Sequence, residues 1–133
     1  MKSKLISICM VVAISLCLVA CASLPKEVFV DESYSGKEVA LAVGGSLIVT
    51  LDSNASTGFE WELTGISDEA VLGLEGSEFQ PPEDTGVVGA PGKEIWTFNA
   101  LTIGDSSISM EYSQPWEGGT KAAETFDLTV VVG

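Results

Sequence analysis

Histidine and arginine are absent from the 133 residues, and the three cysteines all fall within the first 21 positions. Without histidine no Ser-His or Cys-His nucleophile pair can be assembled, and zinc loses its commonest nitrogen ligand. Basic charge is scarce, with six lysines against 19 acids for a formal net charge of −13. Such a surface repels nucleic acid and is not drawn to anionic lipid through its side chains. The acids lack the alternating Asp or Asn spacing with a central glycine that a calcium loop requires, so neither a metal nor a cofactor is expected. Glu60 and Glu62 share one strand face and Glu83-Asp84 sit in a loop, which reads as solvated charge rather than as the paired carboxylates of a hydrolase. Internal repeats, nucleotide-type glycine motifs and a helix-capping box ahead of an apolar stripe are missing too. The length allows one domain, and no enzyme is expected.

The first residues differ in kind from the rest. Lys2 and Lys4 precede an uncharged run from Leu5 to Ala20, the charged start and apolar middle of a signal peptide. Its 16 residues fall short of the roughly 20 that span a bilayer as a helix. Leu18-Val19-Ala20-Cys21 resembles the lipobox of bacterial lipoprotein precursors. That likeness implies cleavage before Cys21, acylation of Cys21, and attachment to membrane through the lipid. Cys9 and Cys17 are then lost, so the mature chain has no free thiol and no disulfide. Four lysines remain against 19 acids, a balance of −15. A conventional signal ending at Cys21 and a short uncleaved anchor are the alternatives. The expected organisation is a signal peptide over 1–20, a lipid-anchored tether over 21–36 with one edge strand near Glu27 to Asp31, and a folded domain over 37–133. The expected location is a bacterial cell envelope; Ala22, where an aspartate often marks inner-membrane retention, points to the outer membrane if there are two.

From Lys37 onward short alternating segments are divided by turn residues, the pattern of an all-β, immunoglobulin-like β-sandwich of seven or eight strands. Strands are predicted at 38–43, 46–52, 59–63, 71–75, 78–80, 93–101, 106–112 and 124–132. Leu47, Val49 and Leu51 share one face, as do Trp96, Phe98 and Ala100, and Phe126, Leu128, Val130 and Val132. Trp61, mid-strand among alternating glutamates, reads as core.

Three irregular segments remain, over 54–59, 86–93 and 114–119. In such a sandwich, loops joining alternate strand pairs emerge at the same end, so these three are expected to form one edge. The last contains Gln114-Pro115-Trp116-Glu117-Gly118-Gly119, where proline and glycines preclude a strand and set the indole of Trp116 at a loop tip. A tryptophan left in solvent forgoes about 25 cal/mol per Å² of burial, which suits a binding role. The alternative is that it folds back over the core.

Asn54-Ala55-Ser56-Thr57-Gly58-Phe59 resembles the Asn-Pro-Thr-Thr-Gly-aromatic segment of the chagasin family of cysteine peptidase inhibitors. Gly89-Ala90-Pro91-Gly92 is similar to that family's glycine-rich motif, and Gln114-Pro115-Trp116 to its Arg-Pro-Trp segment, in the same order. The resemblance covers roughly residues 37–132. It implies an immunoglobulin-like sandwich that reversibly occludes the cleft of a papain-like cysteine peptidase. The loop with Thr57 and Gly58 would lie over the catalytic cysteine, 89–92 along the non-primed cleft, and Trp116 on the primed side. Ala55 in place of proline predicts a looser first loop, Pro91 removes an amide, and Gln114 in place of arginine removes a charge. A monomer is expected. The competing reading is a surface adhesion or ligand-binding sandwich without inhibitory activity.

Overall fold

The computed structural model describes residues 23–83 and 90–133; the signal segment, Cys21 and Gly89 lie outside the described residues. The alternating stretches form eight strands: β1 (Glu27–Val30), β2 (Lys37–Leu41), β3 (Ser46–Ser53), β4 (Glu60–Ile66), β5 (Leu72–Gln80), β6 (Gly92–Ala100), β7 (Gly104–Ser113) and β8 (Glu124–Val132). They make two four-stranded sheets, ordered β1-β3-β6-β5 and β2-β8-β7-β4. Each sheet has one parallel pairing, β1 with β3 and β2 with β8, and is otherwise antiparallel. The expected all-β, immunoglobulin-like sandwich is therefore observed.

Period-two alternation places the apolar set of each strand between the sheets. Leu47 pairs with Phe98 and Val49 with Trp96 on one wall; Met110 pairs with Phe126 and Ile108 with Leu128 on the other. All eight are buried. Burial of each such side chain contributes roughly 1.5–3 kcal/mol, and this packing carries the fold.

Three local differences from the sequence reading have physical causes. The two short strands predicted over 71–80 are one strand, because a register shift between Leu74 and Gly76 breaks the alternation without breaking the pairing. β4 runs on to Ile66 through a similar irregularity between Leu63 and Gly65. Residues 27–36, read as part of the tether, include β1 and a 3₁₀ turn over Glu32–Tyr34. Val30 is buried in the core, and the Glu32 carboxylate accepts the amide of Asp52, so the sandwich begins before residue 37.

Trp61 is buried as expected, with its indole N–H donating to Asp52 O at 3.0 Å. Truncation to alanine leaves a large cavity and an unpaired carbonyl. Trp61→Ala is expected to lower unfolding free energy by about 3–5 kcal/mol, read from urea unfolding with unchanged m-value.

Candidate functional site: a three-loop edge

The ends of β3, β5 and β7 lie together, since Ser53 pairs with Gly92, Gln80 with Lys93, and Ser113 with Glu60. The β3–β4, β5–β6 and β7–β8 loops therefore leave the sandwich at one end. Within the described residues this brings 54–59, 90–91 and 114–119 to the same edge.

The first loop is built around Asn54. Its side-chain oxygen accepts from Ser56 N at 3.3 Å and Ser56 Oγ at 2.6 Å, while its carbonyl accepts from Thr57 N at 3.1 Å and Thr57 Oγ1 at 2.7 Å. These bonds wind Ala55–Thr57 into a 3₁₀ turn closed by Gly58 at φ +79°. Ala55 lacks the restraint of a proline ring, and the hydrogen bonds of Asn54 provide a restraint on the same turn.

Below the turn an aromatic row ties it to the sandwich. Tyr112 stacks on Phe59 with ring centroids 5.2 Å apart, lies 5.1 Å from the Trp61 ring, and accepts the Asn54 amide at 2.8 Å through its hydroxyl. Glu94, reaching across from the other sheet, accepts Trp61 N at 2.9 Å. Neither Tyr112 nor Glu94 is singled out by the sequence reading. A tyrosine as the last core-facing residue of a strand before the Trp116 loop was the available signal for the first.

The third loop closes on the first. Trp116 is 50% exposed, between the solvent-facing and folded-back alternatives: part of its ring covers Gly58 and the rest faces solvent. A Cβ on Gly58 would overlap Trp116 Cη2 and stand 2.7 Å from Cζ3. Glycine is thus required here both for its positive φ and for the indole's approach. Gln114 accepts Thr120 N at 2.9 Å and donates through Nε2 to Thr57 O at 3.3 Å, spanning both loops. Lys121 Nζ donates to the carbonyls of Gln114 and Trp116 from below. Pro115 is exposed.

For the second loop, Gly89 lies outside the described residues, Ala90 is half-buried and Pro91 exposed. Gly92 is buried as the first residue of β6, where a Cβ would meet Phe79 Cζ at 2.7 Å. Its missing side chain makes room for the Gln80 carbonyl and the Phe79 ring. A cleft of ≈ 380 Å³ between the first two loops is lined by Asn54, Ala55, Ser56, Phe79, Pro82 and Ala90, among others. Next to Gly92 on β6, Lys93 pairs with Asp52, which holds the ammonium above its usual pKa range. This bridge is exposed and contributes little to stability.

Among the described residues no group of His, Cys, Asp or Glu is arranged to hold a metal ion. The edge offers backbone, small polar groups, aromatic faces and the exposed prolines Pro91 and Pro115, which is equipment for contact. A sandwich that brings three loops to one end, the first and third braced against each other, is built as a binding protein. More specifically, the chain belongs to the chagasin family of peptidase inhibitors, since residues 40–130 match the description "Chagasin family peptidase inhibitor I42". It is similar to chagasin of Trypanosoma cruzi, 29% identical over 103 residues that span 74% of this chain and 92% of that one. The crystal structure of the cysteine protease inhibitor EhICP2 of Entamoeba histolytica superposes with a TM-score of 0.71 at 22% identity, covering 80% of this chain and 96% of that one. The inhibitor PbICP-C, solved in complex with falcipain-2, gives 0.52 at 22% identity over 84% of this chain and 93% of its own. The protein is accordingly an inhibitor and not an enzyme.

Two substitutions test the bracing. Tyr112→Phe removes the acceptor of Asn54 N and is expected to cost about 1–2 kcal/mol, with a larger rise in amide exchange at Asn54 than at the amides of β3. Gly58→Ala is expected to cost about 1–3 kcal/mol through backbone strain and to displace the indole, seen as a changed Trp116 emission.

Proposed function

We propose that this protein reversibly inhibits papain-like cysteine peptidases by inserting its three-loop edge into the substrate cleft. The observation that carries the reading is the clasp of Trp116 over Gly58 together with the Gln114 bridge, which joins the first and third loops into one stiff wedge. In this reading the turn Asn54–Phe59 lies over the catalytic cysteine, presenting the backbone around Thr57 and Gly58. The segment 89–92 follows the non-primed side of the cleft, with half-buried Ala90 and exposed Pro91 among its described residues, and Trp116 packs with Pro115 on the primed side. No covalent step is involved, and release returns both proteins intact. Stiffness suits the task, because loops already held by their own hydrogen bonds lose little freedom on docking. Membership in a peptidase-inhibitor family favours this over an adhesion role.

The location belongs to the same proposal. Leu18-Val19-Ala20-Cys21 supports processing to a lipoprotein held in a bacterial envelope by acyl chains on Cys21, acting as a monomer.

Titration of the soluble domain against several papain-like peptidases tests the first part. Inhibition at nanomolar concentrations is expected, and its absence with every such enzyme, from protein shown to be folded, would refute the reading. Trp116→Ala is expected to weaken inhibition by about 2 kcal/mol or more, while the unfolding midpoint stays near that of the parent because half of the ring is already in solvent.

A further inference from the structure

The chain enters the sandwich at the end opposite the three loops. β1 runs parallel to β3 with Glu27 beside Ser46, whereas the far end of β3, Ser53, leads into the first loop. The entry is fixed even before β1. Pro25 O accepts from Ala42 N at 2.7 Å, Lys26 O accepts from Ser46 N at 2.8 Å, and a Cβ on Gly133 would lie 3.0 Å from Leu24 Cδ1. Only three residue steps separate Leu24 from Cys21, and at roughly 3.3–3.6 Å per residue they reach at most about 10 Å in any conformation.

Around this entry point the turns expose apolar side chains: Val43 is 41% exposed, Leu101 50% and Ile103 73%. The turns that carry them are contiguous. Val43 N donates to Gly133 O at 3.1 Å, Gly44 N to Ala100 O at 2.9 Å, and Leu101 N to Val71 O at 2.8 Å. An apolar rim and a very short leash therefore share one end of the molecule.

We propose that this end is a membrane-contacting surface, with Val43, Leu101 and Ile103 seated in the headgroup layer of the bilayer that holds the acylated Cys21. The inference rests on the lipid-anchor reading. The anchor confines the entry point to within about 10 Å of the lipid, so three side chains suffice to orient a domain they could not recruit. Asp68 and Glu69 lie in the exposed turn before β5 and Asp105 at the start of β7, against one lysine at this end, Lys26, so the surface fits zwitterionic headgroups and is weakened by anionic ones. The eight residues of β3, at about 3.3 Å each, hold the loops roughly 25 Å further out. The inhibitory edge then faces the aqueous phase, and its partner is a peptidase arriving from solution.

The full chain, matured in a bacterial host and reconstituted in phosphatidylcholine vesicles, provides the test. Ala70→Cys, in the exposed turn bonded to Thr102, and Glu117→Cys, on the loop edge, each introduce the sole free thiol for a nitroxide. The label at 70 is expected to collide several-fold less with a water-soluble relaxation agent than the label at 117. Val43→Ser combined with Ile103→Ser is expected to abolish that difference while the mass of the acylated N-terminal peptide is unchanged. Equal aqueous exposure at both positions on acylated protein overturns the membrane contact and leaves the anchor standing. An N-terminal peptide without acyl mass at Cys21 overturns the anchor reading, and the contact with it.

Discussion

The binding edge depends on Tyr112 more than on any residue within the loops. Its ring fills the gap between Phe59 and Trp61, and its hydroxyl accepts the first amide beyond β3. A hydroxyl placed by a packed strand cannot wander, so Asn54 begins its turn from a fixed point. From there the side chain of Asn54 fixes Ser56 and Thr57, the turn fixes Gly58, and Gly58 provides the floor on which Trp116 lies. Order is thus handed from the dry interior to the exposed tip, each step relying on the one below it.

The sandwich was legible in the sequence because its cause is local and repetitive. Leu47, Val49, Leu51 and the matching sets on β6 and β8 alternate without a break, and a two-residue period has only one buried solution. Legibility failed where alternation is interrupted but pairing persists, as at Glu75-Gly76, where the chain bulges and the period shifts. At β1 the strand was legible near Glu27 to Asp31 but its membership in the sandwich was not, because it is too short to show a period and its place is set by its parallel partner β3. The convergence of the loops followed from connectivity alone. Their bracing did not, since the bonds from Tyr112 to Asn54 and from Gln114 to Thr57 cross 58 and 57 positions of sequence. Gly92 was legible only as part of a glycine-rich motif; that its missing side chain makes room for the Gln80 carbonyl and the Phe79 ring was not.

The departures from the family motifs change character once the contacts are known. Ala55 lacks the ring that would restrict its φ, but its turn is closed by two acceptors on Asn54, each bonded twice. Gln114 lacks the charge and planar fork of arginine, but its amide has both a donor and an acceptor, and here it uses one on each loop. An arginine could donate to Thr57 O but could not accept from Thr120 N. The glutamine therefore exchanges reach toward a partner for cohesion within the wedge.

That exchange bears on how a peptidase inhibitor survives its target. A loop in a protease cleft is cut when it can settle into extended, substrate-like backbone across the catalytic residue. The first loop presents the opposite, a 3₁₀ turn ending in a left-handed glycine with an indole across it. Straightening it would break the Asn54 bonds and lift Trp116 from Gly58. In the proposed docking, the interactions that hold the edge ready to bind would then be the same ones that keep it from becoming a substrate.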